Sequence, residues 1–288
     1  MTISEKEPVR DADPSFPRAS GIDPVRMAIA LEVFEELDEL PVDHPQAIEV
    51  RRATARLYKT VKQRNRKQKR AAVVAADEAV TAAVDVTDFD ALAAFADAVV
   101  DRFGRIDLWI NNAGVLDPIG PLVDAAADVV AGHVATNVTG VAYGTMLFAR
   151  HVAGRAGGGV LVNVSSGAAV HPYAGLAVYS ATKAAVDALT EAVAEEEARH
   201  GLRAHAVTPG HVDTAMQAAM RATDDARFPA AGRFRQIAEA KAFNTADWVG
   251  EKLLELAFAG GETPLEAPPV RLRVPPMGDA ADRAGRGS

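Results

Sequence analysis

The spacing of apolar and polar positions changes character near residue 80. Before it, apolar residues recur every three or four positions. Met27, Ala30, Leu31, Phe34 and Leu37 form one stripe, and Val50, Ala53, Leu57 and Val61 a second. That period predicts two amphipathic helices. The first opens at Asp23 with Pro24 behind it, an N-cap followed by proline at the first helical position, and runs to about Leu40, where Pro41 stops it. The second opens at Asp43, ahead of Pro45 and Gln46. Paired, they predict a helical hairpin over residues 21–80. Residues 1–20 are polar, with Pro8, Pro14 and Pro17, and read as a disordered tail without the apolar stretch of a signal peptide. Ala71 to Ala83 is mostly alanine and is expected to be helical.

Beyond residue 80 short apolar runs alternate with helical periods. Val84–Val86, Leu108–Asn111, Val160–Val164, Leu202–Thr208 and Val270–Val274 read as strands. Between the first two, Leu92, Phe95, Val99 and Phe103 make a stripe capped by Asp88 and closed by Gly104. This alternation predicts an α/β domain with a parallel sheet over residues 81–275. Helices from Asp213 to about Ala259 would cover its ligand-facing side, and 276–288 would be a flexible tail.

Composition narrows the function classes. The chain has no cysteine, which excludes disulfides and thiolate metal sites, and its seven histidines show no metal-ligand spacing. No apolar run reaches the roughly 18 residues of a membrane span, so a cytoplasmic protein is expected. The formal charge is −8, yet residues 51–70 hold ten Lys or Arg and no acid. Such a run contacts a nucleic acid or anionic surface, or forms a solvated face balancing the acidic remainder. The single aromatic within it, Tyr58, and the lack of a nucleic-acid motif favour the solvated face.

The candidate chemistry centres on Tyr179 and Lys183, four residues apart in YSATK and hence on one helical face. A phenol near an ammonium makes a general acid, because a cation a few Å away lowers the ordinary phenol pKa of about 10. Chance produces this spacing often, so its company matters. The run GVLVNVSSGAA ends a strand in Ser165 and Ser166, the latter thirteen residues before Tyr179. LWINNAG carries a strand into Asn111, Asn112, Ala113 and Gly114; HVATNVTG holds Asn137; LRAHAVTPGHVDT ends in Pro209, Gly210, Val212 and Thr214.

In this order and context, those five landmarks resemble the short-chain dehydrogenase/reductase family over about residues 81–275. The resemblance implies a Rossmann-like, doubly wound parallel sheet and hydride transfer between NAD or NADP and a ketone or secondary alcohol. It implies Tyr179 as general acid–base, Ser166 as hydrogen-bond donor to the reacting oxygen, Lys183 as the cation on the Tyr179 phenol and on the nicotinamide ribose, and Asn137 as the holder of a relay water. Cofactor contacts are implied for Asp85, Val86, Asn111, Ala113, Gly114, Tyr179, Lys183, Pro209, Gly210, Val212 and Thr214. His171 and Tyr173 would line the substrate pocket or pack their loop. The helices carrying Asn137 and Tyr179 would form a homodimer or homotetramer.

One family feature is missing. The glycine-rich phosphate turn T-G-x-x-x-G-x-G has no counterpart, and no glycine occurs between Gly21 and Gly104. The sheet is therefore expected to be incomplete at its N-terminal half and preceded by the hairpin. The strand at Val84 would pair directly with that at Leu108, in a sheet of five strands. An inactive relative, or a truncated fusion product serving as an interaction module, is the alternative to an active enzyme.

Overall fold

The computed structural model describes residues 27–30, 80, 82–258 and 270–277. Among the described residues, five parallel strands form one sheet in chain order: β1 (Met27–Ala30), β2 (Leu108–Asn111), β3 (Gly159–Val164), β4 (Leu202–Thr208) and β5 (Arg271–Arg273). All four β2 side chains are buried, as are Val160, Leu161 and Val162 of β3, because helices cover both faces.

Period two sorts the strand residues between two cores. Trp109 and Leu161 point to one face, where they meet Leu92 and Val99 of α1 (Phe89–Phe103) and Phe148 and Val152 of α3 (Val141–Ala153). Leu108, Ile110, Val160 and Val162 point to the other, against Val249 and Leu254 of α7 (Ala246–Phe258). Helix α3 approaches β2 so closely at Gly144 that a methyl there would collide with Asn111 Oδ1 and Trp109 Nε1. Helix α2 (Ala127–Val134) runs into α3 through a π-helical turn, Ala135–Gly140. Helix α4 (Ala177–Glu197) packs on β4, and α5 (Ala215–Ala222) and α6 (Ala231–Glu239) lie over the strand ends with α7.

The α1 stripe, its Asp88 cap and its Gly104 stop are as the sequence predicts: Asp88 Oδ1 accepts from Ala91 N at 3.0 Å and Gly104 has φ of 83°. Three expectations are corrected. Met27–Ala30 is a strand, not a helical turn, and it pairs with Leu108–Asn111 in the place expected for Val84–Val86. Val84–Val86 is not a strand, because its polar neighbours build a turn instead. Asp85 Oδ1 accepts from Thr87 N and Oγ1, both at 2.8 Å, and Asp85 O accepts from Asp88 N at 3.0 Å. Val84 and Val86 keep their burial without a ladder. Of the helix expected over Ala71–Ala83, the described residues 80, 82 and 83 are not helical. The rest of the hairpin, the basic run and the first 20 residues lie outside the described residues, as does the tail beyond Met277. Within the expected flexible tail, Met277 N donates to Asn244 Oδ1 at 2.8 Å.

Candidate active site

The C-terminal ends of β3 and β4 open into a cavity of about 1400 Å³. In parallel sheets the strand ends are where backbone is released from the ladder and side chains converge on a ligand. Ser166 leaves β3 as the N-cap of a short 3₁₀ turn, its Oγ accepting from Ala168 N at 3.2 Å. Tyr179 and Lys183 come from the first turns of α4, and Pro209–Thr214 from the loop after β4. Ser166, Tyr179 and Lys183 thus line one cavity.

Both serines reach the cavity wall, where Ser166 bears on the Tyr179 phenol and Ser165 donates to the buried Asp187 carboxylate. Lys183 is buried, donates to Val164 O at 2.8 Å and lies 5.8 Å from the centre of the Tyr179 ring. The Tyr179 residue is partly exposed, but burial around its hydroxyl raises the phenol pKa above the ordinary 10.0, and the Ser166 bond offsets part of that. This corrects the expectation of a lowered pKa: spacing reveals the nearby cation and says nothing of burial, which dominates.

Asn137 sits in the π-helical turn, fully buried. Its Oδ1 accepts from Val115 N at 2.8 Å, and its Nδ2 donates to Val115 O at 2.9 Å. A Cβ on Gly114 would meet Asn137 Oδ1 at 3.3 Å and Lys183 Nζ at 3.6 Å, so the bare glycine is what lets both groups face the same point. Asn112 and Gly114 line the cavity. Asn111, expected beside them, instead turns into the core. It accepts from Trp109 Nε1 at 2.7 Å and donates to Asn163 Oδ1 at 2.8 Å. Asp85, Val86 and Ala113 are also outside the cavity wall, with Val86 packed on Gly140.

Pro209, Gly210, Val212 and Thr214 all line the cavity. Gly210 adopts φ of 79°, and Thr214 caps α5, its Oγ1 accepting from Gln217 N at 3.4 Å. Sequence reasoning missed what holds this loop. The buried Asn244 donates from Nδ2 to Pro209 O at 3.0 Å and from its backbone N to His211 O at 2.7 Å. Nothing in its local pattern marks it. His171 and Tyr173 line the cavity as expected, Tyr173 meeting Phe234 edge-on at 5.8 Å. Among the described residues no cluster of metal ligands occurs, and no helix is long and apolar enough to cross a membrane.

The chain is 34% identical over 164 residues to benzil reductase ((S)-benzoin forming) of Bacillus subtilis, covering 56% of this chain and 67% of that protein. It is 38% identical over 169 residues to cis-4-hydroxycyclohexanecarboxylate dehydrogenase of Sinomonas cyclohexanicum, covering 57% and 68%. Among solved structures it is similar to 3-ketoacyl-(acyl-carrier-protein) reductase from Brucella melitensis complexed with NADH. That match has a TM-score of 0.55 and 25% identity, over 67% of this chain and 75% of the other. The short chain dehydrogenase profile matches residues 46–225, starting within the stretch read above as the second helix of the hairpin. Matched over more than half its length, the chain belongs to the short chain dehydrogenase family of oxidoreductases.

Proposed function

We propose that the chain transfers hydride between a nicotinamide dinucleotide, NAD or NADP, and a ketone or secondary alcohol, with Tyr179 as general acid–base. The observation that carries this reading is the convergence of Ser166, Tyr179 and Lys183 on one cavity wall. The bound nicotinamide supplies or accepts the hydride. Tyr179 gives a proton to the oxygen of the reduced carbonyl, or takes it from the alcohol. Ser166 donates a hydrogen bond to the same oxygen, which stabilises developing negative charge. Lys183 supplies positive charge 5.8 Å from the centre of the Tyr179 ring, and Asn137 Oδ1 faces the same space above Gly114. The apolar wall of Leu116, Leu176, Met220 and Phe234 suits a hydrophobic carbonyl substrate.

The described residues fit the nicotinamide end. Gly114 and Gly210 bring bare backbone to the wall, beside Lys183 and Thr214. The adenosine end has no such counterpart in sequence. The ten residues after β1 hold no glycine and five carboxylates, Glu32, Glu35, Glu36, Asp38 and Glu39. Lost phosphate hydrogen bonds of about 1.5–3 kcal/mol each would weaken cofactor binding from micromolar toward millimolar. The deciding measurement is a fluorescence titration of NADH and NADPH into the purified, monodisperse chain. Saturable binding of either, between the micromolar and the millimolar range, is the expected result. No binding up to millimolar cofactor would replace this reading with that of an inactive relative. A cytoplasmic homodimer, paired through the helices of Asn137 and Tyr179, accompanies the proposal.

A further inference from the structure

The roles given to Ser166, Tyr179 and Lys183 leave one site neighbour unused. His133, on the last turn of α2 and four residues before Asn137, is 1% exposed. Its Nδ1 lies 2.6 Å from Asp117 O, and its Nε2 lies 2.7 Å from Asn137 Nδ2 and 3.1 Å from Thr182 Oγ1. A carbonyl only accepts, so Nδ1 carries the proton. An amide nitrogen only donates, so Nε2 accepts. The Thr182 hydroxyl is already directed to Tyr179 O at 2.9 Å. These partners assign the neutral Nδ1–H tautomer.

The Asn137 amide is thereby fully committed. Its two Nδ2 hydrogens go to Val115 O and His133 Nε2, and Oδ1 takes Val115 N. Adding a proton to His133 would set a donor against a donor. Asn137 can escape only by turning its amide over, which breaks both bonds to Val115 and swings Oδ1 away from Gly114 and Lys183. The charged and titratable groups facing the ring are Asp117 and Lys183, with Tyr179 edge-on at 6.1 Å. Burial lowers the His133 pKa below 6.5; Asp117 pulls it up and Lys183 pushes it further down. The ring is therefore neutral where the fold is intact at neutral pH.

We propose that His133 is a positioning residue that locks the Asn137 amide in its working orientation, a role that rests on the reading of this site as a carbonyl reductase. His133→Leu removes the acceptor and should lower kcat by about tenfold with little change in KM, since no substrate contact is lost. His133→Gln can accept from Asn137 and donate to Asp117 O without titrating. It should keep kcat within about threefold of the parent and abolish the parent's fall in rate at acid pH. Thermal unfolding of both variants separates positioning from loss of fold. A folded His133→Leu with parental kcat, or an acid limb unchanged in His133→Gln, overturns the proposal.

A second readout needs no turnover and so keeps this proposal separable from the enzyme reading. In ¹⁵N spectra of the parent chain, His133 should be protonated on Nδ1 at neutral pH. The Asn137 side-chain amide signals should shift with the His133 titration and become pH-independent in His133→Gln. Protonation on Nε2 at neutral pH, or Asn137 signals indifferent to the His133 titration, would overturn it even if the chain proved inactive.

Discussion

Asn111 and Asn137 invite comparison. Both are buried, both donate from the side-chain amide to partners on other segments, and both stand beside a segment that the family resemblance links to cofactor or catalysis. Asn111 closes a network wholly inside the scaffold. Trp109 Nε1 reaches its Oδ1, and its Nδ2 reaches Asn163 Oδ1 across the β2–β3 ladder, with Asn163 passing on to Thr190 of α4 at 2.9 Å. Asn137 instead ends its network at the cavity side of Gly114, facing Lys183. The first ties sheet to helices, and the second ties helices to the site. The same side chain does different work according to whether its partners are core strands or the loop that borders the cavity.

The largest effect that would break this division concerns the site alone. Tyr179→Phe removes one hydroxyl at the cavity wall. Turnover should fall by about 10²–10⁴, the usual worth of a positioned general acid. The unfolding midpoint should stay near that of the parent, because Tyr179 bears no part of the Asn111 network. Steady-state rates and thermal unfolding, compared with the parent, test both halves. Unchanged turnover in the variant would remove Tyr179 from the chemistry.

How much of this was legible beforehand follows from what each signal encodes. The ends of β2, β3 and β4 were legible because buried parallel strands are continuous apolar runs. Ser166 was separable from Ser165 by its family spacing to Tyr179, and in the structure Ser165 is turned to Asp187. The strand Met27–Ala30 was hidden, since four residues within a helix-period stripe carry no strand signal of their own; their partner, β2, decides. The Tyr179 pKa was misjudged because desolvation is a property of the folded neighbourhood. Adjacent Asn111 and Asn112 look alike in sequence, yet the strand's alternation sends one to the core and the other to the cavity. His133 was findable, being four residues before Asn137 on the same helix.

The scaffold half of the comparison has its own prediction. Asn111→Ala leaves the Trp109 Nε1 donor and the Asn163 Oδ1 acceptor short of partners in the core. Buried groups stripped of partners cost about 1–3 kcal/mol each, so for the two of them stability should fall by about 2–6 kcal/mol. Urea unfolding measures this. Activity per folded molecule should stay within about twofold, because Asn111 is turned away from the cavity. A large loss of kcat with little loss of stability would move Asn111 from scaffold to site and collapse the distinction.

The smallest effect is a pH dependence that both regions share. His151 does for the scaffold what His133 does for the site: its Nε2 accepts from a buried backbone donor, Ile106 N, at 3.0 Å. Burial is the leading cause that lowers both pKa values below 6.5. The unfolded chain binds protons at these residues near 6.5 and the folded chain does so only at lower pH. The stability they support is therefore complete above that value and declines as pH falls from 6.5 toward the folded values. Urea unfolding between pH 7.5 and pH 5 should follow this direction. Replacing His151 with Gln should flatten part of the slope without touching the acid limb of activity, and replacing His133 should remove that limb. Equal effects of the two variants on the activity profile would mean that site and scaffold respond to acid as one unit.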